Sequence, residues 1–258
     1  MQVHQLTHTL KQLRLGGMLD TLDIRIQQAE TDRLGYLEFL GRLCEDEIQR
    51  RANTALDRRV ARAHFDSVST LATFDFNYNP KIPAATVRDL ATCAWIHRHE
   101  SVCLTGPVGV GKSHIAQAIG YSACQQGFDV VYRKASQVLQ DLTGGHADGT
   151  FERRLRGWIQ WDLIIVDDFG LRDLAVQAAE DLFELVCQRD QKKSWLIASN
   201  RSSEDWYELF PNPVIAEGIL DRLVNSSYHV LCDGKSYRPQ HRPSVQSSYG
   251  KRSQDISK

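Results

Sequence analysis

The stretch Leu104–Gly120, LTGPVGVGKSHIAQAIG, constrains the fold of this chain more than any other. Its glycine-rich centre fits the spacing G-x-x-x-x-G-K-[ST], follows an apolar run and precedes a segment that is predicted to be helical. Glycines let such a loop wrap closely around a phosphate, so that main-chain N–H groups and the start of the next helix point at the charge. The pattern predicts a strand, a phosphate-binding loop and a helix, in that order.

The side chains of this predicted loop have separate tasks. Lys112 would reach the β- and γ-phosphates of a nucleotide, and Ser113 would offer its hydroxyl to Mg²⁺. We therefore expect ATP and Mg²⁺ as cofactors. The candidate nucleotide-binding residues of the loop are Gly106, Gly109, Gly111, Lys112, Ser113 and His114.

A second motif, LIIVDDFG, supplies two adjacent carboxylates. Its four apolar residues predict a buried strand, and Asp167 at the end of that strand is placed to hold Mg²⁺, usually through water. Asp168 could orient or polarise the attacking water. The alternative for Asp168 is a carboxylate that caps a helix or stabilises a turn.

Three polar residues further along the chain are candidates for the same site. Asn200 ends the strand WLIASN, where it either starts a turn or senses the γ-phosphate and positions water. Arg222, late in a predicted helix, either pairs with a nearby acid or reaches across to the γ-phosphate of a neighbouring copy. Arg238, in GKSYR, could serve a similar role within its own subunit.

Residues 83–238 alternate predicted helices with short apolar strands. The strands are SVCLTG, FDVVYR, WDLIIVDD and SWLIASN, with a further candidate near SYHVLC. The predicted helices are Ala84–His97, a helix after the loop through Gln126, Ala135–Leu142, Phe151–Trp158 and Val176–Arg189. Such alternation is typical of an α/β three-layer sandwich, in which helices cover both faces of a parallel sheet.

Residues 1–65 form a predicted all-helical domain. Leucines at helical spacing predict a hairpin broken at Gly16 and Gly17, and a third helix from about Leu34 to about Ala63. That helix carries an apolar stripe formed by Leu37, Leu40, Leu43, Cys44 and Ile48.

The second half of the third helix is basic. Asp57 stands alone against Arg50, Arg51, Arg58, Arg59 and Arg62. One interpretation is a solvated helix end whose cations suit the helix dipole, and the other is a face that contacts DNA phosphates.

An aromatic linker and a polar tail flank the α/β part of the chain. In the linker, residues 66–82, Phe74, Phe76 and Tyr78 alternate in a segment that is predicted to be extended; they either pin the linker to the core or wall an adenine pocket. Residues 239–258 are rich in Ser, Gln and basic residues, and we expect them to be disordered.

Residue types and their spacing argue against disulfides, a histidine metal site and a membrane span. The cysteines are scattered without CxxC spacing, which favours free thiols, and HRHE (residues 97–100) lacks a further ligand at metal-binding spacing. Trp158, Trp161, Trp195 and Trp206 are interpreted as core or interface aromatics. No apolar run approaches the length of a membrane span, so we expect a cytoplasmic protein without a membrane partner.

Taken together, GPVGVGKSH, LIIVDDFG, IASN, ILDRL and GKSYR resemble the IstB-like ATPases, as do LKQLRLGGMLDTLD and FDFNYNP. These helpers of insertion-sequence transposases are relatives of the DnaC helicase loader and the DnaA initiator in the AAA+ class. The resemblance implies an AAA+ fold, ATP-dependent assembly into a homo-oligomer on duplex DNA, choice of a target site, and stimulation of a partner transposase. It also implies that the N-terminal domain promotes self-assembly and that the basic surfaces contact DNA.

The resemblance implies a role for each site residue. Lys112 and Ser113 bind phosphate and Mg²⁺, Asp167 is the Mg²⁺ carboxylate, and Asn200 is the sensor. Arg222 is the arginine finger supplied to the adjacent subunit, and Arg238 is a second sensor. Two departures from the AAA+ class stand out, since Asp168 occupies a position where Glu is common, which predicts slow hydrolysis, and no separate helical lid follows the fourth strand.

Two other functions fit parts of the sequence. A DnaC-like helicase loader would act on a hexameric helicase and single-stranded DNA. A P-loop kinase would need a lid and an acceptor pocket, and the sequence shows neither.

Overall fold

The computed structural model describes residues 3–241 and has a five-stranded parallel sheet at its centre. The strands are β1 (Ser101–Thr105), β2 (Val130–Lys134), β3 (Leu163–Phe169), β4 (Ser194–Ser199) and β5 (Ser227–Leu231). They lie side by side in the order β2-β3-β4-β1-β5. Because the strands are parallel, the loops that follow β1, β3 and β4 emerge at one edge of the sheet.

Helices cover both faces of this sheet. The helices of the described chain are α1 (Val3–Gln12), α2 (Gly16–Asp32), α3 (Tyr36–Ala63), α4 (Ala84–Leu90), α5 (Ala94–His97), α6 (Lys112–Gln125), α7 (Ala135–Ala147), α8 (Phe151–Ile159), α9 (Val176–Arg189) and α10 (Pro213–Val224), of which α1 and α2 lie away from the sheet. One core joins a face of the sheet to α4, α5, α6 and the end of α3, and a second core joins the other face to α7–α10. The predicted α/β three-layer fold with a preceding helical region is therefore confirmed.

The two cores follow from the apolar strands. Residues 163–166 and 194–199 are buried throughout, since neighbouring strands and helices enclose them on every side. Trp158, Trp195 and Trp206 are at most 8% exposed and lie in the second core, which confirms their interpretation as core aromatics.

Helix α3 belongs to two packing units. Its first half holds α1 and α2 through a small core around Leu10, Leu22 and Leu43. Its second half turns Leu56 and Val60 towards the core beneath the sheet. The sequence pattern fades in the middle of α3 because the buried face changes from the hairpin to the sheet.

The stripe predicted on α3 is mostly uncovered. Leu43 is buried, whereas Leu37 is 87% exposed, Ile48 is 67% exposed and Leu40 is 53% exposed. The hairpin of α1 and α2 is too small to cover the whole stripe, so a large apolar surface remains on the outside of α3.

The break expected at Gly16 and Gly17 lies just before them, since α1 ends at Gln12 and α2 begins at Gly16. Two other predicted elements differ from the observed ones. The helix expected over Ala84–His97 is two short helices, α4 and α5, because Cys93 adopts a left-handed φ of 56° between them. The segment expected to be extended is a turn after a 3-10 helix at Leu71–Thr73, since the Asp75 carboxylate accepts the N–H groups of Asn77 and Tyr78.

After β4 the described chain contains a 3-10 helix (Glu204–Leu209), α10, β5 and a 3-10 turn (Arg238–His241), and no separate helical lid. The candidate strand near SYHVLC is β5, which pairs with β1 at the end of the sheet. Residues 242–258, most of the tail predicted to be disordered, lie outside the described residues.

Candidate nucleotide-binding site

The glycine-rich loop connects β1 to α6, as its sequence predicts. Gly111 precedes the first turn of α6 with a φ of 110°, a conformation that favours glycine. A Cβ atom at Gly111 would also lie 2.6 Å from the ring of Phe74. The helix therefore starts directly at the loop and directs its free N–H groups towards the cleft.

Lys112 is buried and closes the loop. Its ammonium group donates to the carbonyl oxygens of Gly106 at 2.7 Å and Pro107 at 2.8 Å. A lysine ammonium has three N–H donors, so one remains to face an anion in the cleft. Burial lowers the pKa of Lys112 from its usual value of 10.5, and the nearby Asp167 and Asp168 oppose this shift.

Asp167 lies at the carboxyl end of β3 with its side chain almost fully enclosed. The Tyr132 hydroxyl donates to Asp167 Oδ2 at 2.6 Å, and the main-chain N–H of Asp168 donates to Oδ1 at 2.9 Å. Burial and the contact with Asp167 raise the pKa of Tyr132 far above its usual range, so this phenol remains a donor. Tyr132 thus fixes the orientation of the carboxylate.

Asp168 sits at an irregularity in β3. Its φ is 56°, and the register between β3 and β4 shifts between Val166 and Phe169. Such a bulge redirects a side chain at the end of a strand. Asp168 lines the cleft, and its carboxylate lies 3.4 Å from the Lys134 ammonium.

The candidate residues meet in a cavity of about 210 Å³ at the carboxyl edge of the sheet. Lys112, Ser113, Asp167, Asp168, Asn200 and Arg238 all line it, together with Gly109 and Gly111. Its lining combines cationic groups and the start of a helix with two carboxylates. This donor set fits a polyphosphate with its divalent cation.

A second cavity of about 280 Å³ lies beside the first and shares Gly111 and Tyr237 with it. Phe74, Tyr78 and His114 also line it. His114 therefore faces this cavity instead of the cleft, and its ring lies 5.4 Å from that of Phe74. Phe76 lies 4.7 Å from Phe74 and packs against the core.

The two sequence interpretations of the aromatic linker are not exclusive. Phe74 and Phe76 both pack against the core and pin the linker, and Phe74 together with Tyr78 also walls a cavity of a size that suits a purine base next to the phosphate loop.

Arg222 is not part of this cluster. It lies on α10 near Ser101 and Trp195, at the amino ends of β1 and β4. Its guanidinium group donates to the Gly218 carbonyl at 2.7 Å and lies 3.6 Å from the Asp190 carboxylate. The length of the strands, at about 3.3 Å per residue, therefore separates Arg222 from the cleft.

The basic residues of α3 divide into two groups. Arg50, Arg51 and Arg62 lie near the carboxylates of Asp20, Glu47 and Asp129, respectively. Arg58 and Arg59 have no such partner within residues 3–241. The second pair is therefore the more available for contacts outside the chain.

Other candidate features carry no chemistry here. Among residues 3–241, no cluster of three or more His, Cys, Asp or Glu side chains could hold a metal ion, and His97 and His99 are exposed. The six cysteines are free thiols. Over the same residues, no helix has the length and apolar character needed to cross a membrane.

Sequence reasoning missed several residues around the cleft. Tyr132, Lys134 and Tyr237 all contact or line the site, as does Asn79, which is 4% exposed and donates towards the loop at Val110. Only one signal was available for Tyr132, a hydroxyl that follows two valines in the predicted strand FDVVYR.

The fold and the cleft together define a P-loop ATPase with an AAA+ fold. Solved structures share the fold: the DnaC helicase loader matches with a TM-score of 0.53 at 17% identity, covering 67% of this chain and 98% of that chain. DnaA from Aquifex aeolicus bound to AMPPCP matches with a TM-score of 0.52 at 18% identity, covering 65% of this chain and 51% of that one. At these identities the likeness shows the fold alone.

The chain belongs to the family described as IstB-like ATP binding protein, whose sequence profile matches residues 8–245. An ATP-binding protein of an insertion sequence in Mycobacterium tuberculosis is 49% identical over 239 residues, which cover 92% of this chain and 95% of that relative. An insertion-sequence ATP-binding protein of Pseudomonas aeruginosa is 32% identical, with 92% and 89% covered. The expected family and ATP binding are confirmed.

Proposed function

We propose that this protein assembles on duplex DNA when ATP is bound, selects target DNA and stimulates a partner transposase. The observation that carries the proposal is the separation of Arg222 from the cleft. Lys112, Asp167 and Arg238 line the carboxyl edge of the sheet, whereas Arg222 lies at the amino edge. A finger in that position can serve only the nucleotide of another copy, which makes ATP a bridge between subunits.

The cleft residues then have distinct roles. Lys112 and the start of α6 bind the β- and γ-phosphates, and Ser113 with Asp167 holds Mg²⁺. When bound, the Mg²⁺ ion neutralises phosphate charge. Asn200 senses the γ-phosphate from the end of β4, and Arg238 approaches it within the same subunit. The base lies in the cavity between Phe74 and Tyr78.

Slow hydrolysis suits a switch that must persist during assembly. Asp168 has a shorter side chain than the usual glutamate, and its ion pair with Lys134 competes for the carboxylate that would orient water. Loss of the γ-phosphate would release Asn200 of one subunit and Arg222 of the next together, so that the assembly loosens.

DNA binding in this proposal rests on phosphate contacts by α3. Arg58 and Arg59 make these contacts, because they have no carboxylate partner in the described chain. The other arginines of α3 would first have to break an ion pair, as in the case of Arg50, Arg51 and Arg62. Replacing both arginines with alanine should lower the slope of log K against log salt by roughly two units. Arg42→Ala is the matched control, since Arg42 lies on the same helix but pairs with Glu38 at 2.8 Å.

Sedimentation of the full chain with long duplex DNA, with and without ATP and at two salt concentrations, tests the proposal. We expect large complexes that need ATP, weaken with salt and are lost in Lys112→Ala, whose unfolding temperature should stay close to that of the wild type. Normal assembly of Lys112→Ala with ATP contradicts the switch. The insertion-sequence relatives favour this function over a helicase loader, which would instead bind single-stranded DNA and a helicase and fail to bind duplex DNA in any nucleotide state.

A further inference from the structure

The segment 232–238, called the strap here, runs from the end of β5 across the phosphate loop and ends at Arg238. It has no regular secondary structure before Arg238, yet most of its residues make hydrogen bonds, an ion pair or a ring contact with the rest of the chain. Cys232 donates its N–H to the Thr105 carbonyl at 2.7 Å, and Tyr237 donates its N–H to the Gly109 carbonyl at 2.8 Å. The strap is therefore bonded to the last residue of β1 at one end and to the phosphate loop at the other.

The linker before α4 holds the strap from the other side. The Lys81 ammonium lies 2.7 Å from the Asp233 carboxylate, and the Tyr78 hydroxyl donates to the Ser236 carbonyl at 2.9 Å. The ring centroids of Tyr78 and Tyr237 are 4.8 Å apart in an edge-to-face arrangement. These contacts join distant parts of the sequence; Tyr78 and Ser236, for example, are 158 positions apart.

Asn79 is the centre of this arrangement. Its side-chain carbonyl accepts the N–H of Lys235 at 2.9 Å, and its Nδ2 group donates to the carbonyl oxygen of Lys235 at 3.0 Å. The same Nδ2 group lies 3.4 Å from the carbonyl of Val110 in the phosphate loop. Asn79 is 4% exposed, so water cannot readily replace these bonds.

The fit between Asn79 and the strap depends on the glycine before Lys235. Gly234 has a φ of 153°, and a Cβ atom there would lie 2.3 Å from Asn79 Oδ1. A side chain at this position would strain the backbone and push the strap away from Asn79. Glycine at position 234 therefore allows the Asn79 side chain to approach the strap backbone closely.

Arg238 depends on the strap for its place in the cleft. Arg238 lines the same cavity as Lys112 and Asp167, and its charge is one of those that affect the pKa of Lys112. It is exposed, and its own N–H lies 3.3 Å from the Ser236 hydroxyl. No helical lid supports it within residues 3–241, so its position follows from that of the preceding strap residues.

We propose that Asn79 is a positioning residue, which holds the strap against the phosphate loop so that Arg238 reaches the γ-phosphate of its own subunit. In this arrangement the linker performs the task that a helical lid would perform. The inference rests on the proposed function, because it deepens the role given there to Arg238.

A double-mutant cycle on the full chain tests this role. Fluorescent analogues of ATP and ADP are titrated into the wild type, Asn79→Ala, Arg238→Ala and the double variant. Because a charge-assisted hydrogen bond to the γ-phosphate would be lost, Arg238→Ala should weaken ATP binding about tenfold and change ADP binding little. Asn79→Ala should weaken ATP binding to a similar extent, and the double variant should bind ATP no more than about twofold more weakly than either single variant.

Two further variants separate positioning from a general loss of structure. Asn53→Ala removes an exposed asparagine remote from the cleft and should leave both affinities unchanged. Gly234→Ala keeps Asn79 but displaces the strap, so it should reproduce the loss of ATP affinity and the same lack of additivity with Arg238→Ala. If Asn79→Ala does not fold, Gly234→Ala takes its place in the double-mutant cycle.

The outcomes distinguish this inference from the proposed function. Unchanged ATP binding in Arg238→Ala overturns the role of Arg238 and the inference with it. Two other outcomes overturn only the role of Asn79. In the first, Arg238→Ala weakens ATP binding tenfold, but the double variant shows the product of the two single losses. In the second, Asn79→Ala loses ATP and ADP binding equally.

Discussion

The position of Arg222 leads to a prediction about mixtures of two inactive variants. Lys112→Ala cannot hold the phosphates but keeps its arginine, whereas Arg222→Ala keeps an intact cleft but supplies no finger. If the finger serves a neighbouring copy, one interface between these variants is complete: an Arg222→Ala subunit holding ATP next to a Lys112→Ala subunit. Mixing the two inactive proteins should therefore restore ATP hydrolysis.

The size of the recovery follows from the geometry. Arginine fingers contribute about 10³- to 10⁵-fold to hydrolysis, so each variant alone should be close to background. In the proposed assembly the contact would be head to tail, because the carboxyl edge of one sheet would face the amino edge of the next. Random mixing in equal amounts then makes roughly one interface in four complete, and the mixture should reach roughly a quarter of the wild-type rate.

Phosphate release by the full-length proteins on duplex DNA measures this recovery at several mixing ratios. The rate should be greatest at equal amounts and fall to background at either extreme. A mixture of Lys112→Ala with Arg238→Ala should show no gain above the separate rates, because Lys112 and Arg238 line the same cleft and are both proposed to act within their own subunit.

Asp190→Asn is the matched control for Arg222. It removes the carboxylate that lies 3.6 Å from Arg222 but leaves the guanidinium in place, so it should retain most of the activity. Equal losses in Asp190→Asn and Arg222→Ala would show that the ion pair matters to the fold instead. The absence of any recovery, with both variants folded and with mixed complexes of the two detected by sedimentation on DNA, refutes a finger supplied between subunits.

Two further predictions follow from buried or paired polar groups. Arg25 and then Thr21 lower the pKa of Asp46 to about 2 from its usual 3.8, so the charged form contributes stability above about pH 4 that is lost as the pH falls through about 2. Asp46→Asn should therefore lower the unfolding temperature, measured by circular dichroism, much more at pH 7 than at pH 2, and an equal loss at both values contradicts this. Tyr132→Phe removes the hydroxyl that donates to Asp167 at 2.6 Å, so it should raise the Mg²⁺ concentration for half-maximal hydrolysis several-fold. It should also reduce the free energy of unfolding by about 1–3 kcal/mol. An unchanged Mg²⁺ requirement argues against a role of Tyr132 in orienting Asp167.

The parallel sheet was predictable from the sequence because its strands are short apolar runs between helices. LIIV and the residues around Leu196 show the pattern of strands that are enclosed on both faces, and the glycine-rich loop fixes the direction in which β1 leads into α6. The loop and the acidic residues meet because parallel strands place their carboxyl ends at one edge. That rule alone brings Lys112 close to Asp167.

The sequence did not reveal which apolar side chains stay exposed. Leu37 and Ile48 have the helical spacing of a buried stripe, but the covering element, a hairpin of two helices, fully buries only Leu43 of that stripe. Periodicity reports that one face of a helix is apolar, and it carries no information on whether the same chain covers that face.

The strap escaped prediction because its contacts join main chain to side chain across the length of the protein. Asn79 bonds to the N–H and C=O groups of Lys235, which every residue except proline possesses, so the side chain of Lys235 carries no trace of the pairing. Lys235→Ala should consequently leave ATP binding unchanged, whereas Gly234→Ala one position earlier should weaken it about tenfold. Binding of fluorescent ATP analogue to these neighbouring variants tests whether the strap is recognised through its backbone, and a large loss in Lys235→Ala would show that the lysine side chain itself holds the nucleotide.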